Sequence, residues 1–236
     1  MKGTGILVHG RHLQAEGWET LVWGEPPHKL GSLTMMVYMA LNEGPENITL
    51  VVFGTGASEK DGFKEAEYMK QYLLEHFGDL VQFPRIADHP AFTEDGQARL
   101  EKVVERIVPE IQSKNTLEEL KNAARLFTDA GVERIIQIAC GSHLPRCIQN
   151  RLQVKEAGGI PEGPMWHAVA DDMTYLGSSA GDVTILEPPH RGDDPLLREP
   201  KDRLPSELAK RIFRIPFPKR LELLDEWDAL LKRYNV

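Results

Sequence analysis

Short apolar runs alternate with amphipathic stretches along most of this chain. The apolar runs predict β-strands at residues 5–8, 48–53, 133–139, 165–169 and 183–186. Runs of this length, rich in aliphatic residues, are typical of strands buried on both faces of a parallel sheet. The stretches between them repeat apolar residues at helical spacing. The pattern therefore predicts an α/β fold, Rossmann-like, with a mostly parallel sheet of about five strands and helices on both faces.

The helical pattern is clearest in five segments of the first two-thirds of the chain. They are residues 30–41, 63–75, 100–111, 116–130 and 144–155. Pro109 is expected to end or kink the third of them, since proline lacks a backbone N–H. Segments 18–29 and 82–95 are rich in turn-forming residues and predict loops, the second with a short strand.

The C-terminal part of the chain has a different pattern. From Pro205 onward the apolar residues recur at helical spacing, with a Leu and Trp stripe that ends near Leu231. We expect an α/β domain over residues 1–200 and a helical extension over 201–236 that packs on it. The stripe either packs against the domain or forms the contact of a homodimer.

Composition narrows the functional classes. The chain has 236 residues, 41% hydrophobic and 27% charged, which is ordinary for a globular protein. A net charge of −8 disfavours broad nucleic-acid binding but leaves room for a small phosphate ligand held by local positive charge. The two cysteines form neither a zinc nor a disulfide framework. No signal peptide or membrane span is evident, so we expect a cytoplasmic protein with no membrane partner.

The segment from Ser113 to Arg146 carries the densest functional signal. Thr116 and Glu119 have the spacing of a capping box, which predicts a helix start. A buried strand follows, and it ends at Gly141, Ser142 and His143. Ligands of open α/β sheets bind beyond the carboxyl ends of the strands, so these polar residues are candidate site residues.

Polar residues also follow the first two predicted strands, and the next helix opens on an acid. These residues are His9, Gly10 and Arg11 after the first strand, then Gly54, Thr55, Gly56 and Ser58 after the second, with Glu65 beyond. A glycine turn before a helix N-terminus can cradle a phosphate, although such turns are also common structural devices. His9, Arg11 and His12 lie either at the ligand edge or in a plain surface loop.

The order and spacing of these motifs resemble the DUF218 family, which includes the YdcF, SanA and ElyC groups. The matching residues are Ser113, Asn115, Thr116 and Glu118 before the helix, His143 and Arg146 after the next strand, and the Gly54 turn with Glu65. The chain departs from the family pattern at Glu119, where Asn is usual, and at the turn after the first strand. The resemblance implies a Rossmann-like fold and a small anionic or nucleotide-like ligand, including S-adenosylmethionine. It also implies that Glu65 reaches a ribose or an amine; the structural alternative is that Glu65, in the first turn of its helix, only complements the helix dipole.

Each candidate has a functional and a structural interpretation. His143 can transfer protons near neutral pH, and Arg146, one turn away, can grip a phosphate or carboxylate; alternatively His143 caps the helix and Arg146 pairs with an acid. Glu118 can orient Arg146 or accept from a sugar hydroxyl, or it can complement the helix dipole. Ser113, Asn115 and Thr116 can hold hydroxyls or an anion, although at least one of them must cap the helix.

Two further chemistries carry weaker signals. His167 with Asp171 and Asp172 is a conceivable metal cluster, but solvated loop acids are the simpler interpretation, and a divalent metal requirement stays open. Cys140 ends a buried strand and is better explained as a small apolar residue than as a nucleophile. The leading hypothesis is an enzyme that acts on a nucleotide-like or phosphorylated small molecule by hydrolysis or group transfer. The alternative is a non-catalytic nucleotide or S-adenosylmethionine binding protein.

Overall fold

A computed structural model describes residues 3–174 and 217–233 of the chain. The chain divides into two compact units, Met1–Val183 and Thr184–Val236. The first unit contains every strand that the structure describes and the candidate site. In the second unit the described part is one helix, and the predicted strand at 183–186 and the predicted helix around Leu208 lie outside the described residues.

Within residues 3–174, five parallel strands form the central sheet, and two short hairpins accompany it. In chain order the strands are β1 (Gly3–Val8), β2 (Gly24–Glu25), β3 (Lys29–Leu30), β4 (Ile48–Gly54), β5 (Glu59–Lys60), β6 (Phe63–Lys64), β7 (Val108–Glu110), β8 (Val132–Cys140) and β9 (Met165–Asp171). The sheet order is β7-β4-β1-β8-β9, and every neighbouring pair is parallel. The predicted α/β fold with a parallel sheet is confirmed.

Helices cover both faces of this sheet. They are α1 (Trp18–Trp23), α2 (Ser32–Glu43), α3 (Glu65–Glu75), α4 (Pro84–Ala87), α5 (Glu94–Glu105), α6 (Thr116–Asp129) and α7 (Leu144–Glu156), while α8 (Phe217–Arg233) is the helix of the second unit. Short 3₁₀ turns occupy Pro45–Asn47 and Phe77–Gln82. None of the described helices combines the length and apolarity needed to cross a membrane.

The core consists of two apolar clusters, one on each side of the sheet. Side chains alternate along a strand, so Ile6 and Val8 of β1 face one cluster while Leu7 faces the other. The first cluster is completed by α1, α2, α3 and α5, and the second by α6 and α7. A sheet covered on both faces explains why its strands read as continuous apolar runs rather than alternating ones.

Three segments differ from the sequence predictions. Segment 18–29, predicted as loop, contains α1 and the β2–β3 hairpin, and segment 82–95 contains α4 instead of a strand. The helix predicted over 100–111 runs from Glu94 to Glu105, and Pro109 lies inside β7. Because β7 is an edge strand that pairs only with β4, a residue without an N–H is tolerated there.

The strand order fixes the position of the site. From β1 the chain moves outward through β4 to β7, then returns to the other side of β1 for β8 and β9. The switch point therefore lies between β1 and β8, where adjacent connections leave in opposite directions and open a crevice at the carboxyl ends of the strands.

Candidate functional site

A cleft of about 370 Å³ lies at this crevice. Its lining comes from the segments after β1, β4, β7 and β8: Gly10, His12, Thr55, Ala57, Glu65, Lys114, Asn115, Thr116, Leu117, Glu119, His143, Arg146 and Asn150. Seven residues selected from the sequence thus share one cleft: Gly10, Thr55, Glu65, Asn115, Thr116, His143 and Arg146. His12, which the sequence placed either at the ligand edge or in a surface loop, also lines the cleft. The sequence did not identify the other polar side chains of the lining, Lys114, Glu119 and Asn150, as site residues.

A buried histidine and glutamate form the floor of the site. His9 follows β1 and Glu119 lies in the first turn of α6, and each is 1% exposed. Nδ1 of His9 lies 2.8 Å from Oε2 of Glu119. The Gly10 N–H points at Oε1 of Glu119 from 3.4 Å, at the long limit of a hydrogen bond. His9 was selected from the sequence; its acidic partner was not.

A second contact constrains the other nitrogen of His9. Nε2 lies 2.7 Å from the amide nitrogen of Gln137, which is fully buried on β8. The amide oxygen of Gln137 accepts a hydrogen bond of 3.0 Å from Arg151 of α7. Gln137 therefore presents a donor to His9, and Nε2 can only accept from it.

The protonation of His9 is under opposing influences. Burial lowers its pKa, whereas the carboxylate of Glu119 and the nearby thiol of Cys147 raise it. The Gln137 amide acts in the other direction, since a protonated Nε2 would face another donor at 2.7 Å. In the arrangement seen, the hydrogen bonds specify the neutral ring with its proton on Nδ1.

Glycines after β1 and β4 make room for the two acids of the cleft. A Cβ at Gly10 would collide with Oε1 of Glu65, and a Cβ at Gly54 would collide with Oε1 of Glu119. At Gly56 it would collide with the carbonyl of Ile111. Glycine is thus required at these positions because carboxylates and backbone approach closely. The sequence interpretation of the turn as a phosphate cradle did not include this requirement.

Glu65 has an unusual environment for an acid at the start of a helix. It is 2% exposed, and its Oε2 accepts a hydrogen bond of 2.5 Å from Ser58. Burial, together with the charge of Glu119, raises the pKa of Glu65 to about 7, although the Ser58 hydrogen bond and Arg11 act to lower it. Glu65 can therefore gain or lose a proton near neutral pH.

His143 and Arg146 form a pair at the start of α7. Arg146 Nη2 lies 2.8 Å from Nε2 of His143, and an arginine can only donate, so this nitrogen accepts and the proton of the neutral ring is on Nδ1. Burial lowers the pKa of His143, and the positive charges of Arg11 and Arg146, with that of His9 whenever it is protonated, lower it further. His143 makes no side-chain capping bond, and among the described residues Arg146 pairs with it rather than with an acid.

Arg11 and Asp171 lie side by side beneath the cleft. Arg11 is 1% exposed, and its Nη2 is 3.9 Å from Oδ2 of Asp171 at the end of β9. Burial raises the pKa of Asp171 to about 7, against the influence of Arg11 and of the Met173 N–H, which lower it. The interpretation of Asp171 as a solvated loop acid is therefore wrong, and Arg11 is buried rather than a surface loop residue.

The remaining sequence candidates have mainly local contacts. Glu118 is exposed, and its carboxylate accepts from the Lys114 N–H, so it faces away from the cleft. Ser113 is buried and donates to Glu110. Ser142 contacts the sulfur of Cys140 at 3.2 Å, and the Gly141 N–H donates to Met173. Glu118, Ser113, Ser142 and Gly141 are not part of the cleft lining.

The predicted capping box is wrong in its residues. The helix begins at Thr116 as expected, but the N-cap is Asn115, whose side chain accepts from the Glu118 N–H at 3.0 Å. Glu118 in turn accepts from Lys114. The N-cap thus lies one residue earlier than predicted, and the acid that bonds back to the preceding backbone is Glu118, which leaves Glu119 to turn into the protein.

Metal and cysteine chemistry receive little support in the described residues. They contain no group of three or more His, Cys, Asp or Glu side chains arranged to hold a metal ion. Asp172, from the suggested cluster with His167, instead accepts from Arg85 and from the Leu30 N–H. Cys140 and Cys147 are both buried free thiols.

No known protein family, curated protein or solved structure matches this chain. The resemblance to the DUF218 family stays a prediction from the motifs.

Proposed function

We propose that this protein is an enzyme that acts on a nucleotide-like or phosphorylated small molecule by hydrolysis or group transfer. The observation that supports it best is the convergence of three helix N-termini on one cleft. Glu65 opens α3, Asn115 and Thr116 open α6, and His143 precedes α7. Helix N-termini present unpaired N–H groups and a positive dipole end, which together favour an anion.

Cationic side chains reinforce this preference. Arg146 and Lys114 line the cleft beside the α7 and α6 N-termini. Arg146 offers a planar fork suited to phosphate, and Lys114 a mobile point charge. The whole chain carries a net charge of −8, so the attraction is local to this crevice. A small anionic ligand fits this charge distribution better than a nucleic acid does.

We assign proton transfer to Glu65 rather than to His143. With a pKa of about 7, Glu65 is populated in both protonation states at neutral pH, which is the condition for an efficient general acid or base. Because burial and Arg146 hold the pKa of His143 well below its usual range, His143 stays neutral and is a weak base, so its role is to hold Arg146. Glu119 lies close enough to accept a hydroxyl or an amine of the same ligand.

The test combines a binding screen with a turnover assay. Nucleotides, sugar phosphates and S-adenosylmethionine are screened for stabilisation of the protein against heat, since a ligand that binds the native state raises its stability. Compounds that bind are then incubated with the protein, and products are separated by chromatography. Arg146→Met should weaken binding of a phosphorylated ligand roughly tenfold or more, as expected for loss of a charged hydrogen bond.

Glu65→Gln separates catalysis from binding. It should lower turnover by about 10²-fold or more, as expected for loss of a general acid or base, and leave binding within a few fold. Glu75→Gln on the exposed end of α3 and Arg125→Met on the exposed face of α6 are the matched controls. Binding without turnover would support the alternative, a nucleotide or S-adenosylmethionine binding protein. Absence of binding by every compound in the panel would contradict both.

A further inference from the structure

A hydrogen-bonded chain of four side chains connects α7 to the floor of the cleft. Arg151 donates to the Gln137 amide oxygen at 3.0 Å, the Gln137 amide nitrogen lies 2.7 Å from Nε2 of His9, and Nδ1 of His9 lies 2.8 Å from Glu119. Gln137, His9 and Glu119 are each at most 1% exposed. Glu119, the last of these four hydrogen-bonded side chains, lines the cleft.

Arg151 determines the orientation of the Gln137 amide and so the donor and acceptor order of these hydrogen bonds. A guanidinium has only donors, so the atom of Gln137 that faces it must be the amide oxygen. The amide nitrogen then faces His9. Arg151 itself is half-buried, with its guanidinium carbon 5.6 Å from the centre of the Trp166 ring, a contact that favours a cation in this position.

We infer that Gln137 and Arg151 are positioning residues that hold His9 as the neutral Nδ1–H tautomer and so keep the Glu119 carboxyl oxygen as the acceptor of its hydrogen bond. A neutral ring has one N–H and one bare nitrogen. Because Gln137 occupies the bare nitrogen with a donor, the single proton must lie on Nδ1, where it binds Glu119. The tautomer assignment is independent of the ligand; its value for turnover rests on the function proposed above.

Several charged or titratable groups surround His9, so its protonation state affects the rest of the site. Glu119 and the thiol of Cys147 favour a charged His9. The centroids of the His9 and His143 rings are 6.0 Å apart. The charge of Arg11 lowers the pKa of both His143 and Glu65. A second proton on His9 would compete for the negative charge of Glu119 and alter the field at Glu65, which is coupled to Glu119.

Nuclear magnetic resonance of the full chain labelled with ¹⁵N-histidine tests the tautomer directly. Correlations between ring protons and ring nitrogens distinguish a bare nitrogen from a protonated one, and the His9 signals are assigned by their loss in His9→Gln. At pH 7 the wild-type ring should show a protonated Nδ1 and a bare Nε2. A ring protonated on both nitrogens, or on Nε2 alone, would overturn the inference.

Two variants test the positioning residues. Gln137→Glu keeps the size of the side chain but presents only acceptors, so both nitrogens of His9 should become protonated. Arg151→Met removes the group that orients the amide, so Gln137 should turn its oxygen to His9 and Nε2 should become protonated. Arg125→Met on α6 is the control and should leave the spectrum unchanged. An unchanged His9 in folded Arg151→Met would contradict the inference, even if Gln137→Glu failed to fold.

The outcome is separable from that of the proposed function. If the tautomer is as inferred but no compound binds the cleft, the proposed function fails and the positioning role stands. If a ligand is found, Gln137→Glu should weaken its binding or turnover at least tenfold, whereas Arg125→Met should not. If Gln137→Glu leaves binding and turnover of the ligand unchanged, the chain of hydrogen bonds does not contribute to the function of the site.

Discussion

Glu65 shows how a carboxyl group can be set to titrate near neutral pH within a folded chain. Burial removes the water that would stabilise its charge, and Glu119 adds a like charge nearby, while Ser58 and Arg11 compensate only in part. Glu65 is also part of the cleft wall. A residue of this kind affects stability as well as chemistry, because its proton affinity differs between the folded and unfolded states.

The first prediction concerns the pH dependence of stability. The pKa of Glu65 is about 7 in the folded protein and 4.5 as its unperturbed reference, so the folded state binds the proton more tightly. The contribution of Glu65 to the free energy of unfolding is fully present below pH 4.5 and is lost as the pH rises through about 7. The pKa difference corresponds to roughly 3 kcal/mol. Glu65→Gln should flatten the fall in unfolding free energy between pH 5 and pH 8, measured by urea denaturation.

Glu75→Gln is the matched control, because Glu75 is exposed on the same helix. It should retain the wild-type fall. Asp171 has a pKa raised to about 7 by burial and contributes with the same sign, so a residual slope is expected in Glu65→Gln. Equal pH profiles for Glu65→Gln and the wild type would show that Glu65 titrates as an ordinary acid.

The residue that sequence reasoning missed, Glu119, is adjacent to one that it selected. Glu118 matched the family motif, and in isolation either acid suits the first turn of a helix. Neighbouring residues on a helix point about 100° apart, so only one of them can face the sheet. Glu119 lies one helical turn before Ala123, which is fully buried. That spacing was visible in the sequence, but the partners that make the position polar, His9 and Gly10, come from a distant strand end.

At the level of elements, the start of α6 determines which side chains enter the cleft. Asn115 has an extended backbone and accepts from the Glu118 N–H, and Glu118 accepts from Lys114. This cap positions Thr116 and Glu119 at the cleft wall. Of the three caps that the sequence offered, Ser113, Asn115 and Thr116, the last two adjoin the helix start, and the side chain of each can accept a hydrogen bond there.

The second prediction distinguishes these two caps. Asn115→Ala should lower the free energy of unfolding by about 1 kcal/mol, the usual cost of removing an N-cap side chain. Thr116→Ala, at the first helical position, should change it by less than about 0.5 kcal/mol, because alanine is a better helix former. Urea denaturation with an unchanged slope measures both. A larger loss in Thr116→Ala would restore the capping box predicted from the sequence.

How far the elements could be predicted depended on what holds them. Strands β1, β4 and β8 are buried on both sides, so their apolar runs revealed them to within about two residues. The edge strand β7 has three residues including Pro109, and pairing with β4 rather than local propensity defines it. Such a strand leaves no periodic signal. The same holds for the β2–β3 hairpin, which the turn-rich segment 18–29 concealed.

At the level of the whole molecule, the first unit carries what the site requires. Its five strands are continuous in hydrogen bonding, and both apolar clusters draw their residues from it. The described residues that line the cleft lie between Gly10 and Asn150. Two buried faces on one sheet are the usual basis of independent folding for an α/β domain.

The third prediction is therefore that residues 1–183 fold without the second unit. This truncated chain should show the far-ultraviolet circular dichroism of a mixed α/β protein and a single cooperative urea transition, since one continuous core unfolds as a unit. It should also bind any ligand found for the full chain with an affinity within a few fold. A chain of residues 1–200, the boundary suggested by the sequence, is the control. If residues 1–183 are unfolded while 1–200 fold cooperatively, the boundary lies beyond Val183.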